Sequence, residues 1–278
     1  MLPEIADILL RCNIPIPNDT TILVDDNNVR RVGTECRESS GLSERPSNPD
    51  VCRAEMATRS PFRLDVTTVA STPSIIEISA EPTREEKYRI FREYVGSLPL
   101  AHRRDTFMQM FDYLYGLNKV DYIIIETGCS RQEGLNWTGD GMSTVLFDFF
   151  VLMFGGVFIS IDISGDAIEC AKRFTSSNVN FICADSVATL AALRCNPSIT
   201  HIDLLYLDSY DLDWSNPHPS ALHHLKELCA VQPLPEGCML VVDDNSQGRG
   251  KGQYIMEYYD AIDVIPVFNS YQIGYIIK

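Results

Sequence analysis

Tyr122-Ile123-Ile124-Ile125-Glu126-Thr127-Gly128 is an apolar run that ends in an acid and then a glycine. A polar loop follows over residues 129–140, and Gly141-Met142-Ser143-Thr144 then opens an apolar, helix-like segment. Glycine lets the backbone pass close to a ligand, and a helix start offers free N–H groups. Three later apolar runs also end in carboxylates, at Asp162, Asp208 and Asp243. Four such ends at the spacing of strand–helix units predict a single site at the C-terminal edge of a parallel sheet.

Outward from that stretch, strands and helices alternate. The pattern predicts strands over 121–126, 157–162, 179–183, 202–207, 238–243, 263–268 and 271–277, and helices over 142–154, 165–175, 186–194, 217–231 and 252–261. Strands that are apolar throughout imply a sheet covered on both faces. The fold class is therefore α/β, a doubly wound, mostly parallel seven-stranded sheet. Only Asn269-Ser270 separates the last two runs, which predicts a closing antiparallel hairpin. Upstream, Thr83-Arg84-Glu85-Glu86 has the form of a capping box, followed by Tyr88, Phe91 and Val95 on one helical face. A second helix is expected over 103–117, with Phe107, Met110, Phe111 and Leu114 as its core stripe. Before these, residues 5–10 read as a short helix, 21–32 as a hairpin and 36–61 as a surface loop or linker. Residues 1–118 form an N-terminal extension in this reading, an acceptor cover or an oligomerisation element, and 119–278 the cofactor-binding domain.

The 278 residues suffice for one large domain or a domain with an extension. Mean hydropathy near zero fits a soluble globular protein, and no stretch approaches the roughly 20 apolar residues that span a bilayer. Residues 1–5 lack the basic region and apolar core of a signal peptide, so a cytoplasmic location is the default expectation. The nine cysteines are an odd number with no C-x-x-C, which argues against a zinc cluster. A net charge of −15 repels phosphate backbones and argues against long nucleic acid as a partner. Arg103-Arg104 with His102 is too short for a basic patch and reads as helix-flanking.

Neither G-x-G-x-x-G nor G-x-x-x-x-G-K-[ST] is present, which removes two common nucleotide-binding readings of the glycine loop. Glu126 and Gly128 are candidates to meet a ligand; the plain alternative is an ordinary strand–helix turn. Asp162 is placed to accept hydrogen bonds from ribose hydroxyls, since Ser164 can cap the next helix unaided. Asp185-Ser186 either receives an adenine amino group or caps the helix that follows. Asp208, Asp243, Asp244 and Asn245 lie at the ends of neighbouring strands and form a set of hard oxygen ligands. Carboxylates that close raise one another's pKa, so a metal or a Lys/Arg partner is expected, with Arg249 and Lys251 nearest in sequence. His218, His223 and His224 invite a metal reading, but adjacent helical histidines point about 100° apart. One of them is a candidate base; each taken singly reads as a surface or packing residue.

Together these residues resemble the class I S-adenosylmethionine-dependent methyltransferases over about residues 120–278. Glu126-Thr127-Gly128 is similar to that family's first motif, Asp162 to its ribose-binding acid and Asp185 to the acid near adenine. The closing hairpin is similar to its antiparallel seventh strand. Leu207-Asp208-Ser209-Tyr210-Asp211 and Val242-Asp243-Asp244-Asn245 resemble the metal-dependent O-methyltransferases of the catechol and macrocin types. The resemblance implies S-adenosylmethionine held by Glu126, Gly128, Ser143, Asp162, Asp185 and Ser186. It also implies Mg²⁺ or another divalent cation on Asp208, Asp244 and either Asp243 or Asn245. It implies an acceptor hydroxyl on a small molecule or saccharide, with Asp208 as the metal-bound acid. Asp211 stands where the family often has a lysine or histidine base, so Asp211, His223 and His224 share that expectation. The alternatives are a cofactor-binding module without turnover, or another reaction on this fold, such as aminopropyl transfer or hydroxylation.

Overall fold

The computed structural model describes residues 82–246 and 248–278. The segments expected over 5–10, 21–32 and 36–61 lie outside the described residues. Helix α1 (Arg84–Ser97) begins at the expected capping box. Thr83 Oγ1 accepts the Glu86 N–H at 3.2 Å, and Glu86 accepts the Thr83 N–H at 2.8 Å. A 3₁₀ turn (Ala101–Arg103) leads into α2 (Arg104–Gly116). Then come β1 (Tyr122–Thr127), α3 (Ser143–Phe154), β2 (Gly156–Asp162), α4 (Gly165–Ala171), β3 (Asn180–Cys183), α5 (Ser186–Arg194), β4 (Leu204–Leu207), α6 (His218–Val231) and β5 (Met239–Val242). A two-residue ladder, β6 (Asn245–Ser246) with β7 (Arg249–Gly250), precedes α7 (Gln253–Asp260), β8 (Phe268–Asn269) and β9 (Ile273–Ile276).

The seven-stranded sheet has the order β3-β2-β1-β4-β5-β9-β8. All pairings are parallel except β5–β9 and β8–β9. The expected doubly wound sheet and antiparallel closure are both present. The strand expected over 263–268 shrinks to Phe268–Asn269. Pro266 has no N–H to give a ladder, Asp263 takes φ +58°, and pairing begins only at Val267, whose N–H donates to Gly274 O. The hairpin turn is three residues, Ser270–Gln272, closed by Ser270 N–H to Gln272 O, rather than two.

Strand parity decides which helices cover which face. Tyr122 and Ile124 of β1, with Phe158, Leu204, Tyr206, Met239 and Val241, pack under α1, α2 and α3. Ile123 and Ile125, with Ile159, Ile161, Leu205, Leu207, Leu240 and Val242, pack under α5, α6 and α7. The predicted stripes of α1 and α2 are buried, Tyr88 only in part, and Phe91, Phe111, Phe150 and Phe154 meet in a cluster of edge-on, tilted and stacked rings. Those two helices thus share one core with the sheet. No helix among the described residues is long and apolar enough to cross a membrane.

Candidate active site

Register aligns the strand ends. Thr127 pairs with both Ile161 and Leu207, and Leu207 with Val242, so Gly128, Asp162, Asp208 and Asp243 follow the last paired row of four adjacent strands. Chain order reverses between β1 and β4, and such a switch point opens a crevice at the carboxyl ends of the strands. Gly128 has φ +80°, and a Cβ there would lie 2.5 Å from the Asp208 carbonyl oxygen. Only glycine allows the β1 loop to press this closely on the end of β4.

Glu126 does not face this crevice. Its side chain points with Ile124 toward α3, where its carboxylate accepts Ser143 Oγ at 2.5 Å, Thr144 Oγ1 at 2.9 Å and Ser160 Oγ at 2.7 Å. It is wholly buried, and burial pushes its pKa up to about 8 against those three hydroxyls. Glu126 and Ser143, both expected to touch a cofactor, instead tie β1 to β2 and to the start of α3. A carboxyl whose folded pKa is raised stabilises the fold fully below its ordinary value of 4.5, and that contribution is lost as pH rises through about 8. Glu126→Gln is therefore expected to remove a fall in stability on the order of a few kcal/mol between those limits. Denaturant midpoints of both proteins from pH 5 to 9 check this; an unchanged pH slope in the variant contradicts it.

Asp162 lines the crevice but is not free. Its two oxygens accept the N–H groups of Cys129 at 2.9 Å and Ser164 at 2.7 Å, while Ser164 caps α4 as expected. Remaining lone pairs leave it able to take hydroxyl donors. Asp185 is exposed and caps α5 by accepting Ala188 N–H at 2.8 Å, which matches the plainer of its two readings. Ser186 lies 3.0 Å from His223 Nε2, away from the crevice lining.

Asp208, Asp243 and Asp244 do converge, each offering an oxygen within 4.8 Å of the others. Two cations already hold them. Arg103 Nε donates to both oxygens of Asp243, at 3.0 and 2.8 Å, and Nη2 to Asp244 Oδ1 at 3.1 Å. Lys251 Nζ contacts Asp208 Oδ1 closely and Asp244 Oδ2 at 3.1 Å. Burial pushes Asp243 up to about 7. Burial also works to raise Asp244, but Lys251, Tyr271 and Arg103 together hold it below the ordinary carboxylate range. Arg103 further stacks its guanidinium 4.6 Å from the Tyr271 ring centre. Asn245 is not a ligand in this arrangement: its amide N–H groups go to Val242 O and Asp243 O, and its Oδ1 accepts Gly252 N–H at 2.8 Å. Five of the six carboxylate oxygens thus already take a positive donor, and a divalent cation does not fit the cluster as it stands.

The crevice encloses about 350 Å³ and is walled by the loop after β1 as well as by these strand ends. Within that loop Asp140 lines the cavity with one carboxylate oxygen buried and unpartnered. The hydroxyls of Thr127 and Ser130 are likewise buried without a partner. Burial, with Asp208 nearby, pushes Asp140 up to about 6. Arg131 also lines the cavity and pairs with Asp211 at 2.6 Å. A second hollow of about 630 Å³ shares Trp214 and Tyr271 with the first and is bordered by His102, Ser246, Asn269 and Ser270.

No protein-family model and no curated protein matches the sequence. Solved structures to which the chain is similar include the MycE methyltransferase of the mycinamycin biosynthetic pathway, in complex with Mg, SAH and mycinamycin VI. That match has 14% identity and a TM-score of 0.45, and covers 71% of this chain and 55% of that one. The chain thus spans about half the length of MycE. CalS11, a calicheamicin methyltransferase, shares 12% identity at a TM-score of 0.44, covering 75% of this chain and 99% of its own. The sugar N-methyltransferase KedS8 from Streptoalloteichus sp ATCC 53650 shares 14% at 0.32, covering 63% and 59%.

Of the residues singled out in the sequence, the fold gathers Gly128, Asp162, Asp208 and Asp244 at one cavity, with Asp243 behind them. The histidines lie elsewhere. His224 is fully buried, its Nδ1 2.7 Å from Ser220 O, and burial drives its pKa down to about 4. His223 borders Ser186 and the buried Glu227, and His218 meets the Tyr254 hydroxyl. None lines the crevice, so none is placed to act as its base. Asp211 is largely exposed and outside the lining, committed to Arg131. Cys129 is buried, and burial raises its thiol well above the usual range, so it is not a reactive group. Arg103, Arg131, Asp140 and Tyr271 were not foreseen as site residues. The one available signal was Asp140 immediately before Gly141, at the end of the loop that the first motif introduces.

Proposed function

We propose that this chain is an S-adenosylmethionine-dependent O-methyltransferase acting on a hydroxyl of a small molecule or sugar. The observation that carries the reading is the polar crevice at the β1/β4 switch point, where an unpartnered, buried Asp140 oxygen adjoins Asp162, Asp208 and Arg131. Those groups fit S-adenosylmethionine: Asp140 for its ammonium, Arg131 for its carboxylate and Asp162 for its ribose hydroxyls. Gly128 keeps the floor of the cavity clear.

Bound there, S-adenosylmethionine would supply an electrophilic methyl on a sulfonium. The residues' work is then mainly positioning, because positive charge is lost rather than created as the methyl leaves sulfur. Asp208, which lines the crevice together with Trp214 and Tyr271, takes the acceptor's proton as its oxygen attacks. Lys251 and Arg103 keep the neighbouring acids from repelling it. The larger hollow seats the acceptor, whose hydroxyl reaches the crevice past Trp214 and Tyr271, the residues both hollows share. Among the described residues of 1–118, His102 borders the larger hollow and Arg103 the crevice. The divalent cation implied by the resemblance has no part in this mechanism.

Asp140→Asn is expected to weaken S-adenosylmethionine binding by about ten- to a hundredfold, since a charge-assisted bond becomes a neutral one. Calorimetry across pH adds a sign: wild-type binding tightens as pH rises through about 6, where Asp140 ionises, and the variant shows no such step. A variant that binds like wild type contradicts the assignment. The activity itself is tested with methyl-labelled cofactor and a panel of sugars and phenols. Label in a base-stable ether supports the proposal, while cofactor binding with no label on any acceptor favours a module without turnover.

A further inference from the structure

Lys251 arrives at the acidic cluster by a built path. The β6–β7 ladder turns the chain back, and Gly250 at φ +123° allows an approach in which a Cβ would lie 2.1 Å from Asp244 O. Asn245 Oδ1 accepts Gly252 N–H, and Lys251 N–H donates to Asp244 O at 3.1 Å, so the turn is held on both sides of the lysine. Asp244 itself sits at φ +50°, a conformation few side chains adopt. Beyond this turn the ammonium meets Asp208 Oδ1, Asp208 O at 3.2 Å and Asp244 Oδ2 at 3.1 Å. An ammonium has three donors, and all three have acceptors. The side chain is 4% exposed, so it is not a surface lysine folded down.

A divalent cation on Asp208 and Asp244 would need oxygens at about 2.1 Å in an octahedron. Lys251 Nζ stands between those same oxygens. Arg103 occupies the third acid, Asp243, with its own charge. Seating a metal would require expelling Nζ while leaving its charge close by.

We propose that Lys251 is the resident cation of this cluster and that the site works without a bound divalent metal. Asn245 is then a positioning residue that holds the turn bearing the lysine. The assignment rests on the proposed function only for what the site does. The lysine's place among the carboxylates stands independently of it.

The test uses the full chain, dialysed against EDTA, with no cofactor present, titrated with Mn²⁺ while electron paramagnetic resonance reads the free ion. Wild type is expected to leave the added Mn²⁺ free, as in buffer. Lys251→Ala and Lys251→Met are expected to bind Mn²⁺ at least about tenfold more tightly, because a positive charge in contact with the ligands is gone. Stoichiometric Mn²⁺ binding by wild type overturns the proposal, and so does unaltered binding in folded variants. The wild-type titration decides the matter even if neither variant folds. A chain that binds neither Mn²⁺ nor S-adenosylmethionine would sink the proposed function and leave the lysine assignment intact. One that binds both would do the reverse.

Discussion

Arg103→Met is expected to lower the stability of the fold by about 3–5 kcal/mol, the range seen when one member of a buried ion pair is removed. Asp243 has no exposed surface, and both of its oxygens rely on Arg103 Nε. Without the guanidinium its charge is stranded in the core, or it must take up a proton. At about 2–4 °C per kcal/mol for a domain of 150–250 residues, the melting temperature should fall by about 6–20 °C. Scanning calorimetry measures it. The companion Arg103→Met/Asp243→Leu is expected to recover much of the loss, since replacing both partners by apolar groups can be near neutral. A single variant that melts within a degree or two of wild type would contradict this account of the cluster.

Asp208→Asn is expected to reduce methyl transfer by about 10²–10⁴-fold, the usual contribution of a general base. Asparagine keeps the shape of the side chain and can still accept from Lys251, so cofactor affinity should change only a few-fold. The separation of the two readouts is what identifies a base: kcat falls while the calorimetric affinity for S-adenosylmethionine is kept. An undiminished kcat would remove Asp208 from the mechanism. Loss of kcat together with cofactor affinity would mark it as a structural member of the cluster.

The sheet was legible because its strands are short apolar runs bounded by acids and glycines, and because α3 is apolar on almost every side. Site placement followed from the same signal, since residues after aligned strand ends must fall side by side. Glu126 misled although its parity was readable. Alternation puts it on the face of Tyr122 and Ile124, beneath α3, while position at a strand end suggested the crevice. Arg103 was beyond reach of pattern: it meets Asp243 across 140 positions, and only the packing of α2 against the sheet brings it there. His223 and His224 could not be assigned because a helix's buried face is fixed by its neighbours, which sequence alone does not display. The β6–β7 ladder is two residues long on each side, too brief for any periodicity, yet it delivers Lys251 to the acids.

The reading as a whole stands on the crevice at the β1/β4 switch point being a seat for an adenosyl sulfonium. Isothermal calorimetry of the full chain with S-adenosylmethionine, in EDTA at pH 7.5, addresses that directly. Saturable one-to-one binding, weakened in Asp140→Asn, is the expected result. Absence of any binding heat with both S-adenosylmethionine and S-adenosylhomocysteine, by a chain shown to be folded, would contradict it.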